Sequence, residues 1–266
     1  MSATGFRALA EEARGVVQTA RDELSPGSAG PIVVSGMLAE QLTKELGAGA
    51  SAGAVIVDGG APFSAAEVLV RVLAGEPSEA DELFVRTADQ RRTPVVVVQL
   101  WPQAEWTRPY VLSPFVVECR AGEGFPLREI ADRIVEASEH GPTLAARVPE
   151  LKKAVSHGIV RHAVIRSALL GASSDRGGTR PLIALEQVRM LARLRTTTTG
   201  SAGSDELPIV AGGTALALSA GFAFRGVARS VRQVLPTPIA DAAVAAAGTW
   251  ALAKALRILE ARVPPE

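Results

Sequence analysis

Four short runs of almost unbroken apolar, β-branched residues punctuate the first half of the chain: PIVVS at 31–35, AVIVD at 54–58, PVVVVQL at 94–100 and FVVEC at 115–119. Strands that are apolar at every position are covered on both faces, as in a parallel sheet sandwiched by helices. The stretches between them carry helical spacing at about 37–46, 64–74, 79–91 and 125–138, and an amphipathic segment at 5–24 precedes them, ending in the breaker run SPGSAGP. Strand and helix alternate, so the expected fold is α/β, a doubly wound and mostly parallel sheet. Beyond Gly141-Pro142 the pattern changes to helix alone, at 144–170, 180–195, 207–229 and 238–262, broken by GASSDRGGT at 171–179 and by TTTTGSAGSDE at 196–206. The second interruption reads as a flexible connection. The expected organisation is an N-terminal helix and linker over 1–30, an α/β domain over 31–140 and an all-α helical domain over 141–266.

Charge divides along the same line. Residues 1–140 hold 12 Lys/Arg and 20 Asp/Glu, whereas residues 141–266 hold 16 and 8, so a chain of zero formal charge has halves of −8 and +8. The basic half suits an anionic membrane surface or an acidic partner. Nucleic acid is not expected as a partner, because aromatics for base stacking are scarce in that half. The single cysteine, Cys119, excludes an internal disulfide framework and fits a reducing compartment, and the Glu11-Glu12 pair without an apolar core is not the pattern of a secretory signal.

The junction of the first strand and helix, PIVVSGMLAEQLTKEL, is where an α/β nucleotide-binding domain places its phosphate loop. Such a loop needs glycines that bring backbone N–H groups onto the anion, followed by Lys and Ser/Thr. Here Gly36 is followed by Met37, Leu38, Ala39 and Glu40, which present bulk and negative charge.

Taken together, the four strand runs and the closing segment ECRAGEGFPLREIADRIVE resemble a small bacterial GTPase domain. The helical half is similar to an α-helical domain that follows GTPase-like domains in some bacterial membrane-associated proteins. That likeness rests on RPLIALEQVRMLARL, LPIVAGGTALALSAGFAFRGVARSVRQVLPTP and AAVAAAGTWALAKAL. The departures from the GTPase pattern are functional ones. Where such domains end their base-recognition strand in Asn-Lys-x-Asp, this chain has Gln99-Leu100-Trp101-Pro102, and its acidic-ended strand gives Asp58-Gly59-Gly60-Ala61 without a glycine three residues past the aspartate. Gly47 to Gly53 is too short for a switch region and an antiparallel strand pair. The resemblance therefore implies a noncatalytic GTPase-like scaffold or interaction protein, with no cofactor, that docks a protein partner such as an active GTPase relative. The alternative is a divergent nucleotide-binding switch using Ser35, Gly36 and Asp58, the remnant-site candidates at the strand ends.

Other candidates are weaker. His157 and His162 are five residues apart on one helix and do not share a face as metal ligands would, and His140 stands alone, so solvated or capping roles and no metal site are expected. Trp101, Trp106 and Tyr110, in QLWPQAEWTRPY, form an aromatic cluster that serves either as a protein-contact patch or as packing in the vacated base site. Leu207 to Phe224 is uncharged and near the length of a membrane span, with Gly213, Ala217 and Gly221 at four-residue spacing. The apolar stretch 239–253 is shorter and carries Asp241, and Arg225, Arg229 and Arg232 between the two stretches oppose a two-pass hairpin. Peripheral or shallow attachment at the cytoplasmic face is expected, with soluble and multi-pass arrangements as alternatives and homo-oligomerisation through the helical domain as a further role.

Overall fold

A computed structural model describes residues 28–59, 65–102, 115–173, 180–200 and 236–260. The chain divides between Val155 and Ser156 into two compact units. The expected N-terminal helix at 5–24 and the apolar segment 207–229 lie outside the described residues.

The first unit is built on a five-stranded sheet of β1 (Ile32–Gly36), β2 (Val55–Val57), β3 (Val68–Ala74), β4 (Val95–Leu100) and β5 (Val116–Cys119). All pairings are parallel and the order is β2-β1-β3-β4-β5. The expected α/β class with a parallel sheet is what the chain forms. One element differs: the segment expected as a helix at 64–74 is β3, the middle strand. Val68, Val70 and Val72 are β-branched and buried, and Leu69 and Leu73 are buried between them, so the run packs on both faces as its neighbours do.

The helices of this unit are α1 (Ala39–Leu46), α2 (Glu79–Gln90), α3 (Leu127–Ala137) and α4 (Gly141–Arg147). Ser78 and Asp81 start α2 with a capping box, in which the Ser78 amide donates to Asp81 Oδ2 (2.9 Å) and the Asp81 amide to Ser78 Oγ (3.3 Å). Val33 and Leu69 are register partners, and α2 lays Phe84 and Ala88 on the face they share with Ile56 and Val95. α1 takes the opposite face, where a Cβ built on its C-cap Gly47 would lie 3.6 Å from the Val55 Cβ. Glu67, at the foot of β3, accepts hydrogen bonds from Ser138 Oγ (2.7 Å) and the His140 amide (2.9 Å) and lies 3.2 Å from His140 Nδ1. Burial pushes its carboxyl up, and these donors outweigh that and hold it below the ordinary glutamate value. Arg147 secures α4 by donating to the carbonyls of Ala29 (2.7 Å) and Gly53 (3.5 Å).

The helix expected over 144–170 is interrupted. Pro149 opens a 3₁₀ turn, Pro149–Leu151, between α4 and α5 (Lys152–Ala172), because its ring and missing N–H cannot continue the turn before it. α4 and this turn fall in the first unit, so that unit extends past the change in pattern at Gly141.

In the second unit α5 packs with α6 (Arg180–Thr199) and α7 (Thr237–Glu260) around Ala163, Met190, Leu191, Leu194, Leu252 and Ala253. A buried polar link crosses all three helices: Gln187 Nε2 donates to Thr249 Oγ1 (3.2 Å), which lies 2.9 Å from Ser167 Oγ. The connection expected to be flexible at 196–206 begins as helix. Thr196 to Thr199 each return the hydroxyl to a carbonyl three or four residues back, which satisfies the donor within the final turn of α6.

Candidate functional site

In an open parallel sheet, ligands bind outside the carboxyl ends of the strands where the winding direction reverses. Here β1 leads to β2 on one side, and the chain then returns to place β3 on the other. The crevice therefore falls at the ends of β1 and β3, with β2 and β4 beside them. Ser35, Gly36 and Asp58 come together there, since Ser35 is the register partner of Arg71 and the Asp58 amide donates to Val34 O (2.8 Å).

The period of two along each strand sorts the polar residues. Ser35 is the register partner of Arg71 and Gln99 that of Glu118, two residues further along the sheet, and by the alternation all four project to the face that α2 covers, toward the carboxyl end. Arg71 is committed to structure. Its Nε and Nη2 donate to Asp81 Oδ1 (2.9 and 2.6 Å), and its guanidinium lies 5.0 Å from the Phe84 ring centre. Burial raises the Asp81 carboxyl, and Ser78 together with Arg71 overcomes that and holds it below the ordinary aspartate value. Ser35 Oγ and Gln99 Nε2 are buried and have no hydrogen-bond partner. Each such group costs about 1–3 kcal/mol.

Gly36 serves the sheet. Its φ is 96°, and a Cβ built on it falls 2.0 Å from Val72 O, the carbonyl that accepts from the Met37 amide (3.1 Å). The residues that follow do not build an anion cradle. Leu38 is the N-cap of α1, in the left-handed region at φ 55°, without a side-chain hydrogen bond to the first turn, and Glu40 puts a carboxylate in that turn. A negative charge there occupies the position where the helix favours an external anion.

Apolar surface is displayed at the same edge. Met37, Leu38, Val57 and Trp101 are exposed, at or just beyond the ends of β1, β2 and β4. Trp101 is 49% exposed and, like Leu38, has a positive φ, 51°, held by donation from its amide to Cys119 O (2.7 Å). Non-glycine residues in this region are strained, and such strain gathers at functional edges. Trp106 and Tyr110 lie outside the described residues. Met37, Leu38 and Val57 were missed as candidate contacts in the sequence. The available signal was an apolar side chain falling past a strand end, where a turn residue is ordinary.

Among the described residues no group of three or more His, Cys, Asp or Glu is placed to hold a metal ion. Cys119 is buried, and burial, then Glu123 and Glu45, push its thiol up, away from the reactive thiolate. No family model, curated protein or solved structure matches the chain. Fold and edge define an all-parallel, doubly wound α/β unit that exposes Met37, Leu38, Val57 and Trp101 at the carboxyl edge of its sheet, followed by a helical unit.

Proposed function

We propose that the α/β unit is a noncatalytic, GTPase-like scaffold that docks a protein partner through the carboxyl edge of its sheet, while the helical unit attaches the molecule to a complex or to the cytoplasmic membrane face. The observation that carries this reading is the exposure of Met37, Leu38, Val57 and Trp101 at the edge where a nucleotide would sit, with Glu40 at the helix start. Exposed Trp and Met at strand ends suit a protein contact, since both are enriched at interfaces and Trp is among the residues that carry most binding energy. A GTPase relative is the partner class that the sequence resemblance suggests. The fold of the second half supports attachment: over Thr237–Ile258 α7 is long and apolar enough to cross a membrane, with a mean hydropathy of 1.3, although a core helix of a soluble protein passes the same test.

A second reading has its own support. Ser35 Oγ and Gln99 Nε2, buried without hydrogen-bond partners toward the carboxyl ends of β1 and β4, are groups that a small polar ligand would satisfy, as in a divergent nucleotide-binding switch. The docking reading is tested by capture with the tagged full chain from separate membrane and soluble fractions, comparing it with Met37→Ser/Trp101→Ser. Partners retained by the parent and lost from the variant, with melting temperature unchanged, are expected. An identical set of partners from both chains contradicts docking at this edge.

A further inference from the structure

One surface of the helical unit is set apart by its chemistry. Along α7 the exposed positions Ile239, Ala243, Ala247, Trp250 and Ile258 recur at intervals of three, four and eight, so they form one stripe about 28 Å long on the side away from the bundle core. Ile239 is 56%, Trp250 55% and Ile258 47% exposed. Lys254 and Arg257 stand on the same stripe, and the Lys254 ammonium lies 5.2 Å from the Trp250 ring centre.

The opposite side of α7 is committed to its neighbours. Leu252 and Ala253 lie in the core, Thr249 joins the polar link to Ser167 and Gln187, and Gly171 of α5 approaches so closely that a Cβ on it would lie 2.6 Å from Asp241 O. Exposed charges on α5, Arg161 and Arg166, keep the bundle as a whole out of hydrocarbon. Among the described residues Ile165 and Leu169 of α5 and Leu182 of α6 are exposed as well, but the stripe on α7 is the longest run of exposed apolar positions in the unit, and it meets an apolar medium side-on.

Its charge selects the occupant. The stripe carries two cations and no carboxylate among its described side chains, so in a parallel pair of α7 helices cation meets cation, and in an antiparallel pair Lys254 meets the apolar end near Ile239. Neither pairing supplies a counter-charge. An anionic bilayer interface supplies both requirements, an acyl boundary for Ile239, Trp250 and Ile258 and phosphate oxygens for the two cations. We infer that α7 is an interfacial lipid-binding helix, lying in the plane of an anionic membrane surface with Trp250, Lys254 and Arg257 at the headgroup level. This rests on the reading of the helical unit as the attachment half and is independent of docking at the sheet edge.

Vesicle flotation of the full chain tests it. Binding to vesicles with one third phosphatidylglycerol should exceed binding to pure phosphatidylcholine by about ten-fold or more, as two cations at an anionic surface give. Lys254→Glu/Arg257→Glu and Trp250→Ser should each abolish flotation while circular dichroism and melting stay as in the parent. Equal flotation of parent and variants overturns the assignment of this stripe and leaves membrane attachment by another surface standing. No flotation of the parent overturns lipid attachment itself. A dimer in sedimentation that Trp250→Ser dissociates, without flotation, identifies the occupant as a second copy and also overturns the proposal.

Discussion

Gly36 and Leu38 show how the first strand end is constrained in two different ways. Gly36 is required because any side chain collides with Val72 O, and φ 96° compounds the penalty. Gly36→Ala should therefore lower unfolding free energy by roughly 2–4 kcal/mol, as strained backbone substitutions in a core do, measured by urea denaturation. The result matters for function because it assigns this glycine to β1–β3 pairing, so its presence does not by itself argue for a phosphate loop. Leu38 has no such steric excuse. Its left-handed backbone turns an apolar side chain outward at the start of α1, in a place where Ser, Thr or Asp would cap the helix.

At the scale of elements, two carboxylates fasten the layers. Asp81 joins the start of α2 to β3 through Arg71, and Glu67 joins the foot of β3 to the turn between α3 and α4. Both carboxyls are held below their ordinary values, so their contribution to stability is fully present above the ordinary carboxylate range and is lost as pH falls through the lowered folded values. Asp81→Ala and Glu67→Gln should each cost roughly 1–3 kcal/mol at neutral pH and should flatten the loss of stability in acid. Thermal melts across that range read both effects.

The elements also show what the sequence displays and what it conceals. Continuous runs such as PIVVS and PVVVVQL can only be covered strands, and they are β1 and β4. The middle strand was concealed because Val68 and Val72, with Leu69 and Leu73, satisfy helical spacing as well as alternation. Only its position between β1 and β4, where backbone partners wait on both sides, decides for strand. Reading that run as helix also hid the Arg71–Asp81 clamp and the polar band that Ser35, Arg71, Gln99 and Glu118 make on one face. The strand-end positions of the candidates Ser35, Gly36 and Asp58 were legible because each follows or ends an apolar run. The exposed edge of Met37, Leu38 and Val57 was not, since exposure depends on which elements stop short of the strand ends.

At the scale of the whole molecule, the two units have different chemistry, an acidic half built on the sheet and a basic helical half. The parallel sheet is intact and internally clamped and displays an apolar edge, which we propose meets a protein partner, and we propose that the helical unit provides attachment. The decisive test is calorimetry of the full chain with Mg-GTP and Mg-ATP. The account predicts no saturable heat at millimolar nucleotide, because Met37, Leu38 and Glu40 occupy the approach to the first helix. Micromolar binding that disappears on Asp58→Ala would contradict it and establish the strand ends as a working nucleotide site.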